Sequence, residues 1–228
     1  MRAMTALEKN AYGRLLRFMI GVAAVLFVAA GTIYYWQAWA FLVAFFGSSF
    51  AITAYLAKYD PGLLERRLVA GPSAEKETSQ KIIQALAMVA FIAIFVFPAI
   101  DHRYGWSSVP ASMAVAGDIL IAVGFLAVFF VFKENSYASS IIEVGAEQKV
   151  VTTGPYAIVR HPMYSGALVM LVGVPLALGS WWGLLLVIPI TIVLVWRLLE
   201  EEKFLTKNLP GYSEYQNKVR YRLLPFVW

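Results

Sequence analysis

Residues 18–57 contain no Asp, Glu, Lys or Arg, and neither do residues 162–196. A helix that crosses a bilayer needs about 20 consecutive apolar residues, so the first run allows two full crossings and the second two short ones. The first run turns at Gly31 to Gln37, where Tyr34, Tyr35 and Trp36 are interfacial aromatics. The second breaks at Gly179-Ser180-Trp181-Trp182-Gly183, where small residues permit a turn and paired tryptophans suit an interface. Residues 82–100 and about 113–132 supply two more spans, and charge returns between them. The pattern predicts an all-α integral membrane protein of about six transmembrane helices. Residues 1–132 make a four-helix membrane region, and residues 133–228 a helical hairpin with a charged, aromatic tail, the two forming one structural unit.

Composition agrees. The chain has 228 residues, 60% hydrophobic and 14% charged, with a mean hydropathy of +0.67. The absence of cysteine excludes disulfides and a thiolate nucleophile, and two histidines, His102 and His161, do not make a histidine-rich metal site. No metal is expected. The net charge of +5 forms no aromatic-interleaved basic stripe, so nucleic acid is not an expected partner. Charge reports topology instead. Six spans place both termini and residues 58–81 and 133–161 on one side, together with every Lys and Arg except Arg103. The positive-inside rule makes that side the cytoplasm, the inner membrane face if the chain is bacterial. No small-residue cleavage site clearly closes a short apolar core at the start, so the first run reads as a span and not a removed leader.

Two polar features interrupt the spans. Asp118 lies about five residues inside the fourth and either reaches the interface, pairs with Arg103 or serves function. His102 reads as a loop residue. Within residues 58–81, PGLLERRLVAGP reads as an amphipathic stretch on the membrane surface, leucines inward and arginines toward headgroups, or as a solvated loop with one helical turn.

Chemistry concentrates in GPYAIVRHPMYSG, Gly154 to Gly166. Arginine and histidine are costly near hydrocarbon, and Arg160 and His161 stand side by side between Tyr156 and Tyr164. Pro155 favours a turn, while Pro162 extends His161 and opens a helix as its first residue. At the end of the last span, RLLEEEKFL puts Arg197 and Glu201 four residues apart on one helical face. Alone this is also the pattern of an ordinary helix end, with a snorkelling arginine and solvated glutamates. The hairpin brings it beside His161 and Tyr164. A pocket results with a cation, carboxylates, an imidazole and two tyrosines beside a hydrocarbon-facing cleft, which suits a charged soluble cofactor and a lipophilic acceptor.

GPYAIVRHPMYSG, RLLEEEKFL and the tail GYSEYQNKVRYRLLPF together resemble the C-terminal half of the integral-membrane methyltransferases, a family that includes isoprenylcysteine carboxyl methyltransferases and phospholipid N-methyltransferases. The resemblance covers roughly residues 130–228. It implies S-adenosylmethionine as cofactor and a lipophilic or membrane-associated acceptor, with a carboxylate, a lipid amine or a thiol as the group methylated. Carried over by residue, it implies that Tyr156, His161, Pro162, Met163, Tyr164 and Glu201 contact the cofactor, and that Gln148 and Val151 lie along it where the family has HxLV. Gln148 replaces the family histidine and carries no charge. Arg197 matches an arginine implicated in the acceptor site, and Glu202 or His161 is the nearest base for an amine acceptor. A sterol-reductase-like enzyme holding NADPH and a non-catalytic transporter or adaptor are the competing readings. The oligomeric state is not legible.

Overall fold

The structure, a computed structural model, describes residues 4–75, 77–145 and 147–228. These residues form eight α-helices and no strand: α1 (Ala6–Ala30), α2 (Trp36–Tyr59), α3 (Pro61–Leu68), α4 (Thr78–Tyr104), α5 (Ala111–Glu134), α6 (Pro162–Ala177), α7 (Val187–Asn208) and α8 (Tyr212–Lys218). The helix ends follow local chemistry. Thr5 and Glu8 cap α1 reciprocally, Gly31 closes it in the left-handed region at φ 68°, and Pro162 opens α6 where its missing N–H has no helical partner to lose.

Five of these stretches are long and apolar enough to span a bilayer: α1, α2, α4, α5, and Trp182–Asn208, which is α7 with the short 3₁₀ turn before it. The expected sixth span is α6. It is apolar but only 16 residues long, because the charge-free run 162–196 is divided by the turn at Leu178 to Trp181. The bundle also turns apolar side chains outward, Val28 at 76% exposure and Val43 at 75%. Such a surface suits hydrocarbon as its solvent.

The tightest helix contact is made by glycines. Gly117 and Gly124 of α5 face Gly173 and Gly166 of α6, and a Cβ at Gly117 would lie 2.3 Å from the Ala177 backbone nitrogen. Only bare backbone allows that approach. The main core, with Leu26, Phe41, Ile94, Ile121 and Leu178, lies toward the end of the bundle away from the histidine motif. A second cluster at the motif end joins Leu56, Leu63, Leu64, Val131 and Phe132.

Three sequence expectations change here. The amphipathic stretch after Pro61 is helical and its leucines do point inward, but they bury against the protein, with Leu63 and Leu64 in the second cluster. Its arginines bend toward a neighbouring loop instead of headgroups: Arg66 donates to the Ser136 carbonyl and Arg67 to the Ser139 carbonyl. His102 belongs to α4, not a loop, and stacks on Tyr35 with ring centroids 3.9 Å apart. Asp118 makes no pair with Arg103; its Oδ1 is buried without a hydrogen-bond partner among the described residues.

Candidate functional site

The histidine motif is fixed from three directions. The backbone N–H groups of Arg160 and His161 donate to the carbonyls of Tyr221 and Arg222, each at 2.9 Å, which lays the C-terminal tail along the motif. The Arg160 guanidinium reaches the tail carbonyl of Val219 at 2.9 Å and Glu202 Oε1 at 2.6 Å. Glu202 Oε1 also lies 3.2 Å from His161 Nε2, and its Oε2 accepts from Arg222 Nε at 2.9 Å. Buried at 5% exposure, Glu202 is thus the hub joining α7, the motif and the tail. Each of its oxygens already accepts a strong, charge-assisted bond.

Glu201, one residue earlier, faces elsewhere. Consecutive helical side chains diverge by about 100°, so one of an adjacent pair meets the motif and tail while the other meets the space beside α6. That space is a cavity of about 350 Å³. Glu201 Oε2 accepts from the Tyr164 hydroxyl at 2.6 Å. The carboxylate has no ion-pair partner among the described residues.

Gln148, Val151, Tyr156, His161, Pro162, Met163, Tyr164, Arg197 and Glu201 all line this one cavity. Glu202 does not, and the expectation that it acts as a base meets a carboxylate already spent on two guanidinium groups and the His161 ring. Gln148 Oε1 accepts from the Gly145 N–H at 3.0 Å. The Tyr156 hydroxyl accepts from Asn135 Nδ2 at 2.8 Å, and its carbonyl from the Tyr215 hydroxyl at 2.8 Å. Burial, the dominant cause, pushes the Tyr156 phenol up to about 12, so it stays neutral. Burial likewise holds Tyr215 well above the ordinary tyrosine range.

Arg197 is occupied in a way the sequence does not reveal. Its Nη2 pairs with Glu75 at 2.9 Å and donates to the Ser140 carbonyl at 3.0 Å, and its Nη1 donates to Gln80 at 3.2 Å. Glu75 is itself buried, and also accepts from Gln84 at 3.1 Å and from the Ile142 N–H at 3.3 Å. A buried, fully bonded pair of this kind holds position. Arg197 therefore ties Glu75, Gln80 and the loop at Ser140 to α7, and these contacts do not favour its expected meeting with the acceptor. Glu75 was missed because nothing in the sequence distinguishes it from Glu77.

A second cavity, about 500 Å³, lies among α1, α2, α5 and α6, with walls that include Leu15, Phe18, Leu56, Phe125 and Met170. Arg67, Met163 and Tyr164 border both cavities. A polar chamber and an apolar one thus share a wall.

The phospholipid methyltransferase family matches residues 112–210. A probable protein-S-isoprenylcysteine O-methyltransferase of Oryza sativa subsp. japonica is 30% identical over 202 residues, covering 84% of this chain and 97% of the relative. The chain belongs to this methyltransferase family. A further relative, protein-S-isoprenylcysteine O-methyltransferase B of Arabidopsis thaliana, is 29% identical over 147 residues, 59% of this chain and 68% of its own. In this methyltransferase the family match runs from α5 through α7 and so contains the glycine contact, the motif and both glutamates. Arg67 and Glu75 lie outside it, although the first lines the polar cavity and the second braces it.

Proposed function

We propose that this methyltransferase moves the methyl group of S-adenosylmethionine to a lipophilic acceptor at the cytoplasmic face of the membrane. The observation that carries this reading is the shared wall: a water-soluble reactant fits the polar cavity, a hydrocarbon-bearing one fits the apolar cavity, and Tyr164 and Met163 stand between them. The polar cavity falls in the size range of small-molecule sites, about 300–1,000 Å³. Its donor set suits the cofactor. Glu201 keeps an oxygen for an ammonium or ribose hydroxyls, and the two tyrosines, their hydroxyls already bonded, offer ring faces to a cation.

When bound, S-adenosylmethionine supplies a methyl carbon made electrophilic by a sulfonium. In this reading Glu201 holds the amino acid or ribose part, Gln148 and Val151 flank the rest, and His161 to Tyr164, at the start of α6, form the floor. In-line displacement with a good leaving group asks for alignment and dryness more than for acid or base. The Glu202 hub then keeps the motif and tail in register, and the Glu75–Arg197 pair keeps the loop at Ser140 closed over the cavity. The names of the relatives point to an isoprenylcysteine carboxylate or a phospholipid amine as acceptor. A carboxylate arrives deprotonated and needs no base.

Equilibrium binding tests the reading. The purified chain should bind S-adenosylmethionine, and radiolabel from its methyl group should pass into the lipid-soluble fraction of a membrane extract. Binding of NADPH in its place would indicate a reductase, and binding of neither would indicate a non-catalytic role. For orientation, the motif end carries most of the basic residues and is read as the cytoplasmic end by the positive-inside rule. Cysteines placed singly at the exposed Ser73 and Ser108 of this cysteine-free chain should label from opposite sides of intact cells, Ser108 from outside. Labelling of both from one side rules the topology out.

A further inference from the structure

Arg67 stands apart from the other arginines of the site. Arg160 and Arg222 share Glu202, and Arg197 has Glu75. Among the described residues Arg67 has no carboxylate partner. Its Nη1 is engaged by the Ser139 carbonyl at 2.9 Å and, weakly, by the Met163 sulfur at 3.9 Å. The guanidinium also rests against the Phe132 ring, 5.1 Å from its centroid. Among the described residues Nε and Nη2 make no hydrogen bond, which leaves one edge of the fork unused. Burial, partly offset by Tyr164, lowers its pKa to about 10, still far above neutrality, so the charge is present and uncompensated.

Position gives that charge a use. Arg67 borders both cavities, at the place where the head of a molecule seated in the apolar one meets the polar one. α3 is held by the burial of Leu63 and Leu64, so the cation is fixed and not carried on a mobile loop. A planar guanidinium with a free edge binds a carboxylate or phosphate bidentately.

We propose that Arg67 receives the anionic oxygen group, carboxylate or phosphate, at the head of the lipophilic acceptor, whose hydrocarbon lies in the cavity among α1, α2, α5 and α6. The inference rests on the methyl-transfer reading for the ligand's identity as acceptor. It makes Arg67 a specificity residue from the half of the chain outside the family match. For a carboxylate it has a further consequence: esterification removes the charge, so the product loses the bidentate bond that held the substrate.

The test measures binding without cofactor. Two probe pairs are titrated into the detergent-solubilised chain: N-acetyl-S-farnesylcysteine with its carboxamide, and farnesyl phosphate with farnesol. Wild type should bind the anionic member of at least one pair about tenfold tighter than its neutral counterpart, and R67Q should lose that preference while keeping the neutral probe. Preference in the first pair alone identifies a carboxylate head, in the second alone a phosphate head. Absence of preference in both pairs, or its survival in R67Q, overturns the proposal. If R67Q loses the neutral probe as well, R67K decides, since it keeps the charge and bulk but not the fork: a severalfold smaller preference supports the assignment, and a wild-type preference overturns it. Failure of wild type to bind S-adenosylmethionine in a parallel titration would instead overturn the methyl-transfer reading, leaving the anion preference to be read on its own.

Discussion

Glu202→Gln should destabilise the protein by roughly 3–5 kcal/mol, the usual effect of removing one partner from a buried ion cluster. The carboxylate is nearly sealed from solvent and is shared by Arg160, His161 and Arg222. An amide retains one acceptor oxygen, and its NH₂ group would turn a donor toward guanidinium donors. Two arginines then remain partly buried beside a neutral group, and the tail, which Arg160 holds at Val219, loses its ionic tie to α7. Thermal unfolding in detergent, followed by tryptophan fluorescence, measures this directly. A variant that melts with wild type would show that the hub does not hold the site together.

The neighbouring substitution should behave in the opposite way. Glu201→Gln removes a charge that forms no ion pair among the described residues and supports the Arg197 cation only as one of several influences, so folding should be close to wild type. Cofactor affinity should fall by about 2 kcal/mol, roughly 30-fold, on losing one charge-assisted hydrogen bond in a partly dry cavity. The Tyr164 hydroxyl can still donate to the amide oxygen, which preserves the cavity wall. Titration with S-adenosylmethionine decides it. Equal affinity in the two proteins removes Glu201 from the cofactor, while a large drop in melting temperature would place it in the structural network instead. The two glutamates are adjacent in sequence, and the contrast between their variants separates holding the site from using it.

Much of the fold was legible because membranes make hydrophobic length decisive. The charge-free runs located α1, α2, α6 and α7, and Pro162 marked the first residue of α6. The motif and the cavity-lining residues around it were also visible, because Arg160 and His161 are conspicuous in an apolar chain. What stayed hidden depends on long-range contact. Glu200, Glu201 and Glu202 look alike in a row, and only the angular position of each on α7, set by the packing of the tail, tells hub from cavity wall. The segment after Pro61 looked like surface charge, since no local pattern says that Glu75 will fold beneath Arg197 or that Arg67 will stand between two cavities. The pairing of Arg197 with Glu75 stayed hidden for the same reason.

The shortness of α6 bears on where the chemistry happens. Sixteen residues rise about 24 Å, against a hydrocarbon thickness of about 30 Å. At the end of α6 away from the motif, Trp181 and Trp182 are exposed, and the Trp181 N–H is tied to Ser107, which suits an anchor at the water boundary. The shortfall then falls on the other end, at His161 to Tyr164, and the glycine contact with α5 prevents α6 from sliding to share it. The motif would sit below the headgroup plane, in a dimple of the bilayer. A long-chain reactant would not have to be lifted out of the membrane to react; the aqueous phase would come down to meet it.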